Sequence, residues 1–318
     1  DSLVVLVFAG ENQWFARPLK VHGCLCIKAP STRSGINMIE FLAMTQAGCS
    51  WSFPRYALQR ISTLAVVAIA VLTPQLVITT PLLAESNDCP NILLILADDL
   101  GYGDVGFNGF KDIPTPKHDA LAAEGVSFSS GYSSHPFCSP KRAGLMACRY
   151  HHRFGYVANI AYDPHNTVIG LPTEEKTIAT RMIDAGYRTG MVGKCHLGAA
   201  APFHPLHRGF DYFYGFLGGG HDYFVVDTTV QLRENYKAAL DDNGTPTGLE
   251  GYLTDVLTDK AIEFIRQQDE KPYFAYVAYN APHGPLQATA EKLKQFESIK
   301  EKKPRTNPAM VSSMDDQN

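Results

Sequence analysis

The stretch NILLILADD at residues 91–99 decides the fold, because an uninterrupted apolar run ends there in two adjacent carboxylates. An apolar run of this length is typical of a β-strand that is buried on both faces. A second apolar run lies at residues 272–279 (PYFAYVAY), shortly before His283, and residues 187–192 (YRTGMV) predict a further strand, shortly before Lys194. These three segments predict three central strands of one sheet.

Helical patterns separate the predicted strands. Residues 252–268 place their apolar side chains on one stripe of a helix, and residues 116–125 and 172–185 each end at or next to a glycine. Strands that alternate with helices predict an α/β fold with a mixed, largely parallel sheet sandwiched by helices. Ligands bind beyond the carboxyl ends of such strands, so we expect the polar groups after the strands to meet at one edge.

The composition indicates a protein with a sizeable core. Of the 318 residues, 45% are hydrophobic and 19% are charged, which argues against global disorder. The net charge is -4, from 28 basic and 32 acidic side chains. A nucleic-acid partner normally requires a basic face, so we expect none.

The first 86 residues differ from the rest. Residues 1–43 show no clear periodicity, and we expect them to be an upstream segment without a fold of its own. Residues 44–86 combine a basic flank, the apolar run LAVVAIAVL and small residues, which indicates a secretory signal peptide. A membrane anchor or a buried helix is the alternative, but Pro74 and Pro81 weaken the anchor. We therefore expect a periplasmic or secreted protein with no stable membrane span.

Four cysteines follow this segment, and their spacings match no common zinc pattern. In an exported protein one disulfide is possible among them, and the sequence does not choose the pairing. The four are Cys89, Cys138, Cys148 and Cys195.

Polar groups after the predicted strands are candidates for chemistry. Asp98 and Asp99 repel each other unless a cation neutralises them, and their oxygens favour calcium or magnesium. Lys194 could hold an anionic oxygen, and His196 could move protons. The alternatives are solvated loop acids for the pair and surface or packing residues for the other two.

Three further residues are candidates on local grounds. Cys138 lies where a loop meets a helix, and a helix N-terminus lowers the pKa of a thiol. His221 follows three glycines that would let the backbone approach a ligand, and His283 sits on a stiff turn between two prolines. Each could instead be an ordinary loop residue. The other histidines have no comparable placement, and we expect surface or packing roles for His22, His118, His135, His151, His152, His165, His204 and His207.

Five ordered segments resemble one family. CSPKRAGLMACRY (138–150) is similar to the sulfatase signature, whose core is Cys or Ser, any residue, Pro, any residue, Arg. The other matching segments are NILLILADDLGYGD (91–104), GKCHLG (193–198), RGFDYFYGFLGGGHDYF (208–224) and NAPHGPL (280–286). The chain therefore resembles the N-terminal portion of an arylsulfatase-like, formylglycine-dependent sulfatase of the alkaline phosphatase superfamily, with residues 87–318 as its catalytic domain.

The resemblance implies a cofactor set and a nucleophile. A separate formylglycine-generating maturation enzyme would convert Cys138 to formylglycine, whose hydrated aldehyde attacks sulfur. Asp98 and Asp99, with the modified Cys138, would bind calcium or magnesium. Arg142 would stabilise the formylglycine.

The resemblance also implies roles for the remaining candidates. Lys194, His221 and His283 would bind the sulfate or assist the leaving group. His196 would remove a proton so that sulfate is expelled and the aldehyde returns. The implied partner is a sulfated small molecule or carbohydrate.

The sequence departs from the family pattern at several positions. Lys141 stands where the family usually has Ser, and we expect it to crowd the pocket or disturb maturation. The resemblance places further Asp and Asn ligands beyond residue 318. We therefore expect a C-terminally incomplete fold with little or no activity by itself, and we expect Asp315 and Asp316 to lie on an amphipathic helix without binding metal. The other departures are Ala147-Cys148 for Thr-Gly, Cys195 for Trp, and Lys117-His118 for Asn-Leu.

These features predict a sulfuric ester hydrolase that acts on an aryl or carbohydrate sulfate ester. One alternative is a phosphodiesterase or phosphonate hydrolase of the same superfamily. The other is a truncated, non-catalytic binder of sulfated glycans.

Overall fold

The computed structural model describes residues 2–9, 13–17, 89–227, 236–300 and 302–317. By its internal contacts the chain divides into one unit of residues 1–32 and 90–318 and a second unit of residues 33–89. The predicted signal peptide at residues 44–86 lies outside the described residues. Within the described part, no helix is both long and apolar enough to cross a membrane.

One mixed sheet forms the centre of the first unit. Among the described residues it has nine strands in the order β4-β2-β1-β3-β9-β5-β6-β7-β8. The five central strands, β1, β3, β9, β5 and β6 in spatial order, run parallel to one another. The outer neighbours on both sides pair antiparallel. This confirms the predicted mixed, largely parallel sheet. The strands are β1 (Ser2–Ala9), β2 (Gln13–Arg17), β3 (Asn91–Asp98), β4 (Val126–Ser127), β5 (Arg188–Lys194), β6 (Tyr212–Phe216), β7 (Leu240–Asp242), β8 (Thr245–Thr247) and β9 (Tyr273–Pro282).

Strands β1 and β2 differ from the expectation for residues 1–43. The apolar run LVVLVF at residues 3–8 forms most of β1, which pairs in parallel with β3 and ends with Ala9 opposite Asp98. Strand β2 returns antiparallel to β1 and pairs with β4. An apolar run beside an open edge of β3 can satisfy its backbone groups by pairing there, whatever its own periodicity.

Among the described residues, four helices lie between strands, close to where the sequence predicted helical structure, and two follow β9. They are α1 (Pro116–Glu124), α2 (Cys138–Ala147), α3 (Ile178–Asp184), α4 (Leu253–Arg266), α5 (Ala290–Gln295) and α6 (Lys302–Asp316). The predicted helix at 172–185 was too long, because Thr177 caps α3 by accepting a hydrogen bond from the Thr180 amide at 3.1 Å. The residues before Thr177 form turns instead.

The core lies on both faces of the sheet. Leu94 and Leu96 of β3 belong to a cluster that includes residues of α2 and α3, such as Met146. Their neighbours Ile95 and Ala97 belong to a second cluster that includes residues of α4 and α6. Successive strand residues point to opposite faces, so the continuous apolar run is explained by helices on both sides. This confirms the sandwiched sheet.

Asp315 of α6 fastens this helix to the first turn of α1. Its carboxylate accepts hydrogen bonds from the amides of His118 at 2.8 Å and Lys117 at 3.1 Å, and it lies 2.6 Å from His118 Nδ1. These amides would otherwise lack partners at a helix N-terminus. Burial alone would raise the pKa of Asp315, but the contacts with His118 outweigh burial and lower it. The predicted helix is present, and Asp315 is buried in it. His118, expected at the surface or in packing, is buried beside the Asp315 carboxylate.

We expect Asp315→Asn to lower the free energy of unfolding by roughly 1–3 kcal/mol, because it removes the charge of a buried carboxylate that accepts two backbone hydrogen bonds and keeps the shape of the side chain. Asp316→Asn is the matched control, since the Asp316 side chain is 55% exposed. Urea unfolding of both variants at neutral pH measures the difference. Since the pKa of Asp315 is lowered, its contribution is present above the ordinary carboxyl pKa and lost as the pH falls through the lowered value. Equal stability of the two variants would show that the contacts of Asp315 with the start of α1 do not stabilise the fold.

Candidate active site

The carboxyl ends of β3, β5 and β9 meet at one edge of the sheet, as expected from the sequence. β3 ends at Asp98, β5 ends at Lys194, and β9 is followed directly by His283. The register places Asp98 opposite Pro282 and Gly193 opposite Ala278. The topology therefore brings a carboxylate, an ammonium and an imidazole to one place.

The backbone at this edge adopts conformations that are rare elsewhere. Asp99 and His196 have φ angles of +62° and +56°, in the left-handed region that non-glycine residues seldom occupy. Gly193 has φ +108°, and a Cβ there would lie 2.0 Å from the Ala278 carbonyl oxygen. Such conformations cost free energy and concentrate at functional sites, which supports this edge as the site.

Asp98 is the carboxylate that the cationic side chains of the site contact. It is fully buried, and its carboxylate lies 2.5 Å from Lys194 Nζ, 3.2 Å from Lys141 Nζ and 3.3 Å from an Arg142 guanidinium nitrogen. Burial alone would raise the pKa of Asp98, but these cations outweigh burial and hold the pKa well below its ordinary value. One carboxylate thus faces three cationic side chains, and the site as a whole favours an added anion.

Arg142 ties α2 to the central strands. It is fully buried, and its guanidinium donates hydrogen bonds to the Lys194 carbonyl oxygen at 2.7 Å and to the Tyr276 hydroxyl at 3.5 Å. Burial would lower the pKa of Arg142, but Asp98 outweighs burial and raises it. Arg142 therefore fixes the position of the helix that carries Cys138. Its implied contact with formylglycine stays a prediction.

Cys138 is the first residue of α2 and is buried. Its Sγ atom, a His283 ring nitrogen and an Asp98 oxygen lie within 4.8 Å of one another. Burial raises the pKa of the thiol, but a hydrogen bond with His283 and the cations Lys194 and Lys141 outweigh burial, so the pKa is lower than usual. The structure therefore places Cys138 at a helix N-terminus, in an electropositive pocket.

His283 faces Cys138 with one ring nitrogen. Its Nδ1 lies 2.5 Å from the Gly284 carbonyl oxygen, so Nδ1 carries the proton that it donates there. Its Nε2 lies 3.7 Å from Asp99 Oδ2. Burial lowers the pKa of His283. The hydrogen bond with Cys138 and the negative charges of Asp98 and Asp99 outweigh burial, so the pKa is raised.

His196 presents a free ring nitrogen to the interior. Its Nε2 lies 3.2 Å from the Ile160 carbonyl oxygen, and its Nδ1 is buried without a hydrogen-bond partner among the described residues. Burial, helped by the Lys194 cation, lowers the pKa of His196 to about 3. A neutral imidazole that donates through Nε2 leaves the Nδ1 lone pair available to accept a proton.

His221 is placed differently from the other candidates. Its Nδ1 lies 2.6 Å from the Asp222 carbonyl oxygen and its Nε2 lies 2.8 Å from the Ala238 carbonyl oxygen. Both ring nitrogens therefore contact the backbone, and Asn280 donates a hydrogen bond to the His221 carbonyl oxygen at 3.0 Å. The predicted substrate contact of His221 stays a prediction.

Two residues in the site were not among the candidates. Lys141 reaches the carboxylates of Asp98 and Asp99, at 3.2 and 4.0 Å. Ser139 donates a hydrogen bond to the His196 carbonyl oxygen at 2.7 Å and so fixes the loop after β5 against α2. The departure from the family pattern signalled Lys141 in advance, whereas no sequence signal pointed to Ser139.

The donor set fits a divalent cation. Among the described residues, one group of metal-capable side chains comes together: Asp98, Cys138 and His283. Within the described part of the chain, Asp98 Oδ1 is buried and accepts no hydrogen bond of normal geometry. Asp99, the other predicted ligand, lies at the rim with 48% of its side chain exposed. Carboxylate oxygens are the ligands that calcium and magnesium prefer.

The fold and the site define a member of the sulfatase family. The Sulfatase family model matches residues 90–317, and the chain belongs to this family. This confirms the resemblance of the five sequence segments and the alkaline phosphatase-like fold that it implied.

Individual relatives are similar over part of their length. N-acetylgalactosamine-6-sulfatase of Canis lupus familiaris is 38% identical over 213 residues, which are 63% of this chain and 41% of that protein. Arylsulfatase J of Mus musculus is 37% identical over 237 residues, 71% of this chain and 38% of that protein. The crystal structure of Ps i-CgsB in complex with k-i-k-neocarrahexaose is 43% identical, with a TM-score of 0.66 over 72% of this chain and 53% of that chain. The chain thus spans about half the length of its relatives or less.

Proposed function

We propose that this chain carries the catalytic site of a sulfuric ester hydrolase that releases sulfate from an aryl or carbohydrate sulfate ester. The observation that carries the proposal is Cys138, buried at the start of α2 within 4.8 Å of Asp98 and His283. Lys194, Arg142 and the helix N-terminus make the surrounding pocket electropositive, which suits a sulfate group. The names of the curated relatives, one of which acts on a sulfated sugar by its name, support this substrate class.

Residue 138 supplies the nucleophile in this proposal. Conversion of Cys138 to formylglycine by a separate maturation enzyme would give a hydrated aldehyde, which supplies a hydroxyl in place of the thiol. The sequence Cys138-Ser-Pro-Lys-Arg142 keeps the minimal pattern of the signature. Arg142 holds α2 in place through the Lys194 carbonyl oxygen, so the nucleophile has a fixed position relative to β5.

The other residues bind and move protons. Lys194 contacts Asp98, and His283 lies within 4.8 Å of Asp98 and Cys138, where the two would contact sulfate oxygens and the leaving group. His196, neutral and with Nδ1 free, would accept a proton when sulfate is expelled. His221 would bind substrate only after exchanging one of its two backbone contacts.

A divalent cation completes the proposed site. Asp98, Asp99 and the matured residue 138 would hold calcium or magnesium, which would neutralise charge on a sulfate oxygen. We also propose that the protein is exported to the periplasm or secreted, with residues 44–86 as signal peptide and residues 87–318 within the catalytic domain. This placement is consistent with the leader pattern of the sequence.

The test combines a mass measurement with a choice of substrate. The chain, completed by the downstream segment of a sulfatase relative, is produced with a formylglycine-generating enzyme, and the peptide that contains Cys138 is weighed. We expect the mass of an aldehyde in place of a thiol, and faster release of sulfate from an aryl sulfate than of phosphate from the matching aryl phosphate. Faster phosphate release would favour the phosphodiesterase alternative. An unmodified thiol with tight binding of sulfated sugar would favour the non-catalytic binder.

A further inference from the structure

Lys141 of α2 reaches the two carboxylates that would bind the metal. It lies one helical turn after Cys138, so both residues share the face of α2 that lines the site. Its ammonium is 3.2 Å from Asp98 Oδ1 and 4.0 Å from Asp99 Oδ1, and the side chain is 5% exposed. The ammonium therefore lies against oxygens of both acids.

Its position differs from that of the other cations. Of the two acids, Lys194 and Arg142 contact Asp98 and not Asp99. Within the described ranges, Lys141 is the one lysine or arginine within 4.0 Å of both Asp98 and Asp99. The contacted Asp98 Oδ1 is the oxygen that lacks a hydrogen bond of normal geometry. Arg142 also contacts Asp98 Oδ1, at 3.3 Å, but a divalent cation shared by Asp98 Oδ1 and Asp99 Oδ1 would compete with Lys141 for both.

We propose that Lys141 is a tethered cation that competes with a divalent metal for Asp98 and Asp99. The proposal deepens the proposed function and rests on it. The ammonium neutralises the acid pair when no metal is bound, and a metal has to displace it against their attraction. Lys141 thereby lowers the metal affinity of the site and stabilises its metal-free form. The long, flexible stem of lysine allows the displacement without movement of α2.

The experiment compares variants of equal charge change. Lys141→Met removes the ammonium and keeps most of the stem, and Lys141→Ser introduces the residue usual in the family. Lys260→Met is the matched control, because Lys260 pairs with Glu263 on α4. The calcium Kd is measured by titration calorimetry, and Tm is measured in EDTA and in excess calcium.

We expect both Lys141 variants to bind calcium about tenfold more tightly than the wild type, in the range of typical coupling between ligands. In EDTA both should melt below the wild type, and calcium should raise their Tm by more than it raises that of the wild type. Lys260→Met should bind calcium like the wild type.

Two results would overturn the proposal. One is an unchanged or weaker calcium Kd in both Lys141 variants, including no binding at all. The other is a lower Tm in EDTA that calcium does not restore, which would make Lys141 a purely structural ion pair. The measurements need no turnover and use unmatured Cys138. Failure of sulfate release would therefore count against the proposed function, and failure of the calcium shift would count against the role of Lys141.

Discussion

Replacing Asp98 by asparagine will lower the free energy of unfolding by about 3–5 kcal/mol, the amount typical of a buried ion pair that loses one partner. Asparagine keeps the shape of the side chain and removes its charge. Lys194, Arg142 and Lys141 would then share a buried site without their common carboxylate. Because Asp98 is fully buried, water cannot replace the lost charge.

Asp99→Asn is the matched control for this prediction. Asp99 is the adjacent residue, its side chain is 48% exposed, and asparagine is well tolerated at its φ of +62°. We expect the control to change stability by less than about 0.5 kcal/mol. Urea unfolding in EDTA measures both variants without any contribution from bound metal. A variant at Asp98 that is as stable as the variant at Asp99 would show that the cations do not depend on this carboxylate.

The sequence predicted the central sheet because burial on both faces leaves a direct pattern. β3 and β9 are apolar runs, and the polar group at the end of β3, β5 and β9 marked the carboxyl edge. Since parallel strands share that edge, the convergence of Asp98, Lys194 and His283 followed from topology alone. No distance had to be known for that part of the site.

Other parts of the structure depend on partners far along the chain. The hydrogen bonds of Asp315 join α6 to α1 across almost 200 residues. No local sequence pattern identifies an acid that will cap a distant helix. The pairing of β1 with β3 is also a long-range contact, because an isolated apolar run does not indicate which strand it will pair with. Propensity and periodicity describe local structure, whereas these contacts are tertiary.

The contacts of Lys141 could be predicted from the sequence only in part. Its replacement of serine was visible in the signature, and crowding of the pocket was expected. Which acid it would face depends on the packing of α2 against β3, which the contact of Arg142 with Asp98 supports. Helical spacing placed Lys141 near Cys138, and only the packed structure brought it against Asp98 and Asp99.

Cys138→Ala will abolish sulfate release by the matured protein, with a loss of at least about 10³-fold, because the substitution removes the atom from which the nucleophile is made. Stability should change less than turnover, since alanine also suits the start of α2, although the substitution removes the hydrogen bond between the thiol and His283. Release of sulfate from an aryl sulfate, measured beside the unfolding curve of each variant, separates loss of chemistry from loss of fold.

Two further variants sharpen the result. Cys148→Ser removes another thiol from the end of the same helix and should leave turnover unchanged, because Cys148 lies at the C-cap of α2, far along the helix from Cys138. Cys138→Ser keeps one hydroxyl but lacks the second hydroxyl that a hydrated aldehyde provides. A sulfate ester formed on this serine could not leave by reopening a carbonyl, so we expect at most one turnover per molecule. Sustained turnover by Cys138→Ala or Cys138→Ser would place the nucleophile elsewhere in the site.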